Sequence, residues 1–209
     1  MDPALTSEGA RLGLWAVLIA VPLVLTLATA FTKSTVVLGA LRLGMSAEAL
    51  LPAPVILSVG LLVTVIVMAP TISAVATAVD AAGGVDALFA GADASTWQSV
   101  AAPLLQFDAT HADPAELEFF AQLQGRASTD PLVVVPAFLT TELSEALAMA
   151  VVILLPFVVV DLLVAQALLL AGLQPPSSVL VTAPLKVLLF LAIGGWDVVI
   201  GGLAKGYGG

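Results

Sequence analysis

The hydrophobic pattern divides the chain into four long apolar segments separated by more polar stretches. The segments cover residues 12–31, 50–79, 146–173 and 179–203. Each reaches the roughly 20 residues that an α-helix needs to cross the hydrocarbon core of a bilayer. The runs are continuous rather than alternating, and they are too long for strands. The pattern therefore predicts an all-α, membrane-associated fold of helical hairpins with four hydrophobic segments.

Proline occurs inside every one of these segments. It would interrupt the hydrogen-bond ladder of a soluble helix, but membrane helices tolerate it because neighbouring helices satisfy the freed carbonyl groups. The pattern therefore predicts bent helices that pack closely against others, rather than straight isolated spans. The residues concerned are Pro22, Pro54, Pro70, Pro156 and Pro184.

Residues 80–141 form a region of different composition between the second and third segments. It holds eight acidic residues against one basic residue, Arg126, and it contains the only histidine, His111. Asp113 followed by Pro114 and Glu116 is typical of a capped helix start, with proline in the first turn and an early acid. We expect an acidic polar lobe that contains a short helix, followed by a C-terminal helical hairpin over residues 142–203.

Composition and charge narrow the class of protein. Of 209 residues, 60% are hydrophobic and 10% are charged, whereas soluble domains have about 25% charged residues. The net charge of −9 and the lack of a basic tract give no reason to expect nucleic acid as a partner. The absence of cysteine excludes disulfides, thiolate metal sites and thiol catalysis. A signal peptide begins with a basic region, whereas this chain begins with acidic residues. An uncleaved first helix is therefore favoured over a signal peptide.

The loop charges predict an orientation in the membrane. Lys33 and Arg42 lie between the first two segments and are opposed there by Glu48. Positive charge near the ends of spans marks the cytoplasmic side. The N-terminus, the acidic lobe and the C-terminus are therefore expected on the outer side.

Asp161 and Lys186 are isolated charges within the third and fourth segments. Counted from the turn at Gln174 to Pro176, the acid lies 13 residues before it and the base 10 residues after it. At roughly 1.5 Å per residue both reach a similar depth in a helical hairpin, and the flexible lysine stem can cover the remaining distance. Charges in apolar surroundings pair, face a protein interior or line a path. A buried pair is the first hypothesis.

Two other interpretations of this pair remain open. If the helices lie outside lipid, both charges are exposed; if they line a path, the pair conducts protons or ions. Conduction normally requires several ionisable groups in series, and only one pair is visible here. A structural pair, within a subunit or between subunits, is therefore favoured.

The sequence offers little for catalysis. It contains no His-Glu-x-x-His, Gly-x-Ser-x-Gly or nucleotide-phosphate loop motif. His111 near Asp113 and Glu116 is expected to be a solvated surface histidine rather than a metal ligand. Asp161 and Asp197 lack the flanking pattern of intramembrane aspartyl enzymes. We expect no enzymatic activity, no metal and no cofactor.

Paired glycines near the C-terminus indicate close helix packing. Gly194-Gly195 precedes Trp196, and Gly201-Gly202 follows at a helical spacing. Small residues let membrane helices approach closely, although glycine also loosens helix ends. Close packing is the favoured interpretation, with Trp196 as an interfacial anchor.

Several separated blocks resemble the FliP/SctR family of type III secretion proteins, called YscR or HrcR in some systems. They cover both apolar halves in the right order, with the acidic lobe at the family's variable region. The blocks are Phe31-Thr32-Lys33-x-x-x-Val37-Leu38-x-x-Leu41-Arg42-Leu43-Gly44, then Glu142-Leu143, then Pro156-Phe157-x-x-x-Asp161-Leu162, then Pro184-Leu185-Lys186 and Gly195-Trp196.

The resemblance implies a non-enzymatic, pore-forming subunit of the export gate in the bacterial inner membrane. Such proteins are multi-pass and assemble in several copies with FliQ/SctS-type and FliR/SctT-type subunits around a conduit for unfolded secreted proteins. In the assembly their hairpins are raised from the bilayer toward the outside. Family matches assign assembly and packing roles to Lys33, Arg42, Pro156, Phe157, Pro184, Gly195 and Trp196, and make Asp161 and Lys186 a structural ion pair. The turn, with Gly172, Leu173, Gln174, Pro175 and Pro176, becomes the candidate pore constriction.

The turn departs from the family pattern. The family has a methionine-rich stretch there that forms a soft seal, whereas this chain has Leu173, Gln174 and Pro175, followed by Ser177 and Ser178 in place of a proline pair. Any seal is expected to be less deformable and partly polar. Gly194 and Ser144 also replace charged residues common in the family, and the link after Arg42 is shorter.

Two other functional classes compete with the export gate. The first is a small-solute or proton-coupled transporter that uses the Asp161/Lys186 pair, and the second is a membrane scaffold without a conduit. Flagellar and injectisome systems are not distinguished by these residues.

Overall fold

The computed structural model of the chain describes residues 15, 19–48, 50–172 and 178–207. Within these residues all regular secondary structure is helical, which confirms the predicted all-α class. The helices are α1 (Ile19–Leu27), α2 (Phe31–Gly44), α3 (Ala53–Val67), α4 (Ala69–Ala81), α5 (Gly84–Phe89), α6 (Ala94–His111), α7 (Pro114–Gln124), α8 (Pro131–Leu170), α9 (Ser178–Ala192) and α10 (Gly195–Lys205).

Helix α8 is longer than the apolar pattern indicates. It has 40 residues, about 60 Å at roughly 1.5 Å per residue, or about twice the roughly 30 Å of a hydrocarbon core. It begins 15 residues before the predicted third segment and runs without a break through residues 141 and 142. Asp130 begins it by accepting the Leu132 N–H at 2.9 Å, and Pro131 follows as a residue suited to the first turn.

One helix of the described chain, α8, is long and apolar enough to cross a membrane by itself. Three pairs of consecutive helices are long and apolar enough only if each pair is counted as one broken span. The described chain would then have up to four spans. The pairs are α1 with α2, α3 with α4, and α9 with α10. Pro70 lies at one of these breaks, in the first turn of α4, whereas Pro184 lies inside α9.

The chain divides into two compact units, of which unit 1 comprises the described parts of Met1–Thr32 and Val65–Glu142. In this unit α4 packs against α5 and α6. One hydrophobic cluster of its core consists of Ala112, Ala137 and Phe138, with Phe107, Leu117 and Phe120 packed against them. The polar lobe is thus a helical body with an aromatic core.

The predicted short helix of the lobe is present as α7. Asp113 is its N-cap and accepts the Ala115 N–H at 2.8 Å, and Pro114 occupies the first turn. Gly125 ends the helix in the left-handed conformation, with φ of 62°, which glycine adopts without a Cβ penalty. His111, expected to be solvated in a loop, is instead the half-buried last residue of α6. Its ring stacks on Phe107 with centroids 4.2 Å apart.

Unit 2 comprises the described parts of Lys33–Thr64 and Leu143–Gly209. Helices α9 and α10 pack against each other and are bent by 63° at their junction. Leu41 of α2, Phe157 of α8, Phe190 of α9 and Val199 of α10 line one apolar cavity of about 110 Å³. All four side chains are nearly fully buried, so this cavity marks the core of unit 2.

Candidate functional site

The structure brings Asp161 and Lys186 into contact, at the point where α8 and α9 face each other in unit 2. The Lys186 ammonium donates to Asp161 Oδ2 at 2.7 Å. It also donates to Ser46 Oγ at 3.3 Å. Ser46 has a φ of 53°, in the left-handed region that few non-glycine residues occupy. Three separate parts of the chain therefore meet at one lysine.

The two partners of this pair differ in their exposure. The Lys186 side chain is 3% exposed, whereas the Asp161 side chain is 47% exposed. Lysine therefore depends on the pair, since a buried ammonium without a counter-charge is costly, while aspartate retains contact with solvent in the unassembled chain. The site neutralises a buried cation rather than burying two charges.

A second buried lysine repeats this arrangement at Lys33 of α2. Its side chain is 1% exposed and its ammonium pairs with Glu145 of α8, which is 51% exposed. The ammonium also lies 4.5 Å from the centre of the Tyr207 ring, a cation–π contact. Sequence reasoning assigned Lys33 to packing but missed Glu145 and Tyr207. Nothing in the sequence around Lys33 identified which acid pairs with it.

The burial of Lys33 removes one of the two cations on which the predicted orientation was based. Lys33 was counted as a loop cation near the end of a span, but it is the third residue of α2 and is enclosed by protein. The positive-inside rule concerns charges in loops and at span ends. The orientation stays a prediction that depends on Arg42 alone. Arg42 donates to the carbonyl oxygens of Leu51 and Glu48.

Together the two pairs connect α8 to helices on either side of it in the sequence. Glu145 and Asp161 are 16 residues apart, or about 24 Å along a helix at roughly 1.5 Å per residue. One holds a lysine of α2 and the other a lysine of α9. Because each lysine is buried, separation of either helix from α8 would strand a charge. The pairs therefore fix α8 at two heights within unit 2.

Glycines permit close approach at two places in unit 2. A Cβ atom at Gly44 would lie 2.7 Å from Leu154 Cδ2 and 2.8 Å from Phe157 Cδ2, so α8 contacts the end of α2 directly. At Gly195 a Cβ would lie 2.1 Å from the Phe190 ring. The Phe190 ring also packs edge-on against Trp196, with ring centroids 5.4 Å apart, so Trp196 restricts its movement. Gly195 and Trp196 are packing residues of the α9–α10 junction.

We expect Gly195→Ala to destabilise the chain by about 1–3 kcal/mol, the usual cost of overpacking. Gly201→Ala in the same helix is the matched control, because a Cβ there meets nothing within 4 Å. It should be neutral or stabilising by up to about 1 kcal/mol, since alanine favours helix. Thermal unfolding of the purified chain in detergent measures both. Equal effects of the two substitutions would contradict the close approach at Gly195.

The predicted constriction is described only at its first residue. Gly172 follows the end of α8 in the left-handed conformation, with φ of 73°, and donates to the Leu169 carbonyl at 3.1 Å. Leu173, Gln174, Pro175 and Pro176 lie outside the described residues. The described chain therefore shows how α8 ends before the turn.

Most of the surface of α8 is apolar and uncovered. Only 11% of its most hydrophobic window is buried. The exposed side chains include Val151, Val152, Leu155, Val158, Leu162 and Leu163. Soluble monomers rarely expose contiguous apolar patches of more than a few hundred Å², so this helix needs lipid or other subunits around it.

Asp108 in the lobe is an unexpected polar residue. It lies in α6 of unit 1 and exposes none of its surface, and neither carboxyl oxygen has a hydrogen-bond partner among the described residues. Burial, and secondarily the charge of Glu142, raise the pKa of Asp108 to about 8. The sequence analysis counted it among the eight acids of the lobe and gave no sign of its burial.

Comparison with known proteins identifies the family. A model of the FliP family matches residues 14–203. The chain is 32% identical over 205 residues to the flagellar biosynthetic protein FliP of Caulobacter vibrioides, covering 93% of this chain and 74% of that protein. It is 35% identical over 201 residues to the pathogenicity-related ORF2 protein of Xanthomonas campestris pv. glycines, covering 89% and 90%.

A third relative comes from a virulence system. The chain is 29% identical over 210 residues to the virulence protein YscR of Salmonella typhimurium, covering 94% of this chain and 95% of that protein. The resemblance inferred from the sequence blocks is confirmed. The chain therefore belongs to the FliP family and is a component of a membrane-embedded type III secretion or flagellar export apparatus.

Proposed function

We propose that this chain is a pore-forming wall subunit of the export gate, a passive conduit for unfolded secreted proteins. It would act as a homo-oligomer with FliQ/SctS-type and FliR/SctT-type subunits in the bacterial inner membrane. The supporting observation is the uncovered apolar surface of α8, which only lipid or neighbouring subunits can cover. Energy for transport would come from other components.

The length of α8 supports an assembly that extends beyond the bilayer. At about 60 Å the helix exceeds the roughly 30 Å hydrocarbon core by a factor of about two. Part of its apolar surface would then lie outside lipid, where burial against other subunits stabilises it. We further propose that the acidic lobe lies on the extracytoplasmic side, together with the first half of α8.

The ion pairs support a structural rather than a conducting role. Each buried lysine has a fixed carboxylate partner on α8, so each charge is neutralised locally. A transporter based on Asp161 and Lys186 would require the pair to open during each cycle and strand a buried ammonium. No observation favours that second function over the conduit.

Single-channel conductance tests the proposed constriction. Replacing Leu173, Gln174 and Pro175 with glycine should raise the ion leak of the purified assembly in planar bilayers several-fold, because small residues leave the turn unsealed. Replacing them with methionine should lower the leak, because a flexible thioether side chain fills gaps.

The matched control is a triple-glycine substitution of Ala127, Ser128 and Thr129, an exposed stretch between α7 and α8. It should leave the conductance unchanged. A turn variant that conducts like the control would contradict the constriction, and a purified monomer that moves a small solute would contradict the conduit.

A further inference from the structure

Burial of Asp108 carries a free-energy cost that no described residue of the chain offsets. Its carboxyl group is fully buried and lacks a hydrogen-bond partner among the described residues. A second buried carboxyl group, that of Glu142, acts on it electrostatically. Buried polar groups in native proteins nearly always have partners, and an orphaned one destabilises the fold. The described part of the chain supplies no such partner, and a cationic group from another polypeptide would remove the cost.

Asp108 borders an apolar surface groove of about 430 Å³ within unit 1, which we call the Asp108 groove. Its walls include Leu23, Leu27, Leu104, Leu105 and Val135. The volume lies in the range of about 300–1,000 Å³ typical of ligand pockets. An apolar wall with a single buried carboxyl group suits a long side chain that has an aliphatic stem and a cationic end, which describes lysine and arginine.

Charge favours a basic occupant from a different polypeptide. The lobe has eight acidic residues against one arginine over residues 80–141, so it attracts basic segments. Four of this chain's own basic side chains already hold partners in the structure, namely Lys33, Arg42, Arg126 and Lys186. A second copy of this chain therefore has few basic side chains to offer.

We propose that the Asp108 groove receives an apolar helical segment of another export-apparatus subunit, whose lysine or arginine side chain pairs with Asp108. This inference depends on membership of the export apparatus and not on the conduit proposal, so either can fail without the other. It predicts that Asp108→Asn has opposite effects on the stability of the isolated chain and on assembly. The isolated chain should become more stable, because a group that is costly to bury is replaced by a neutral amide. Assembly should become weaker, because the partner's charge loses its counter-charge.

The absence of cysteine allows a direct test by thiol labelling. Leu27→Cys places a thiol in the groove wall, and Leu123→Cys places one on exposed α7 of the same unit. Maleimide labelling rates are compared between the full chain purified alone and the chain in the apparatus co-purified with its export subunits. We expect the Leu27→Cys thiol to be protected about tenfold or more in the apparatus.

Asp108→Asn should remove most of that protection and weaken co-assembly about 30-fold or more, as expected for loss of one partner of a buried charge pair. Any protection at Leu123→Cys should not depend on Asp108. A maleimide rate at Leu27→Cys that is equal in both states would overturn the proposal, as would protection that survives Asp108→Asn. Protection of the chain alone, in vesicles of phosphatidylethanolamine and phosphatidylglycerol or through self-association in detergent, would also overturn it in favour of lipid or a second copy.

Discussion

Asp161→Asn is expected to destabilise the protein far more than Lys186→Met, although both remove the same ion pair. The first substitution leaves the ammonium of a lysine that is 3% exposed without its counter-charge. We expect a loss of about 2–4 kcal/mol in the free energy of unfolding, toward the low end of what broken buried pairs cost, since Asp161 is half-exposed and water partly replaces it. Lys186→Met removes the buried charge itself and should cost less than about 1.5 kcal/mol.

Chemical unfolding of the purified chain in detergent measures these differences. Asp197→Asn serves as a control, because Asp197 is an exposed acid in the first turn of α10 and should cost less than about 1 kcal/mol. The double variant Asp161→Asn/Lys186→Met should be more stable than Asp161→Asn alone, since it no longer buries a charge. A double variant with the summed losses of the single variants would show that the two side chains do not interact.

An exchange of the two charges tests whether Asp161 and Lys186 contact each other directly in the assembly. The exchange of Asp161 and Lys186 reverses both charges while keeping the pair, and it should assemble better than either single reversal. An exchange variant that assembles no better than the single reversals would contradict a direct bridge. Because the pair joins α8 to α9, the two helices that flank the proposed constriction, loss of assembly should accompany loss of secretion.

The second large effect is a decline in the stability of the unassembled protein as pH rises. Asp108 has a folded-state pKa of about 8 against an ordinary value of 3.8, so between these values the folded chain binds more protons than the unfolded chain. The free energy of unfolding therefore falls as pH rises from about 4 to about 8, by at most about 1.4 kcal/mol per pH unit. Above that range this contribution changes no further.

Asp108→Asn should remove this slope, because an amide does not titrate. Unfolding midpoints in detergent between pH 5 and pH 9 provide the measurement. Asp93→Asn is the control: hydrogen bonds from Thr96 lower the pKa of exposed Asp93, so its contribution is present above its ordinary value and lost only as pH falls. Its variant should keep the parent slope in this window. A parent protein with the same pH dependence as Asp108→Asn would show that Asp108 is not buried as the structure describes.

The predictions for Asp161 and for Asp108 concern two different ways in which an ionisable side chain is buried. Lys186 and Lys33 are buried with carboxylates that reach solvent, and each pair stabilises one conformation of unit 2. Asp108 is buried in unit 1 without a hydrogen-bond partner among the described residues, and burial raises its pKa and so favours the protonated form. The first arrangement restrains the helices of unit 2, whereas the second makes the stability of the lobe sensitive to any group that supplies a positive charge near Asp108.

Several features of this protein were accessible from the sequence because they are local. Continuous apolar runs of helical length determined the all-α class, and Asp113-Pro114 determined the start of α7, since caps depend on neighbouring residues. The contact of Asp161 with Lys186 followed from counting residues on both sides of one turn. Separated sequence blocks were enough to identify the family.

Other features were decided only by the tertiary structure. Lys33 and its partner Glu145 are 112 positions apart in the chain. Helix packing brings them together, so their spacing in the sequence could not identify the pair. The single helix through residues 131–170 joins stretches that differ in composition, so the apolar pattern placed its start too late. Asp108 looked like any other lobe acid, because burial depends on the residues that surround a side chain in space. The sequence by itself thus determined the helices and the family, whereas the packing of those helices decided which charges are paired and which buried acid has no hydrogen-bond partner among the described residues.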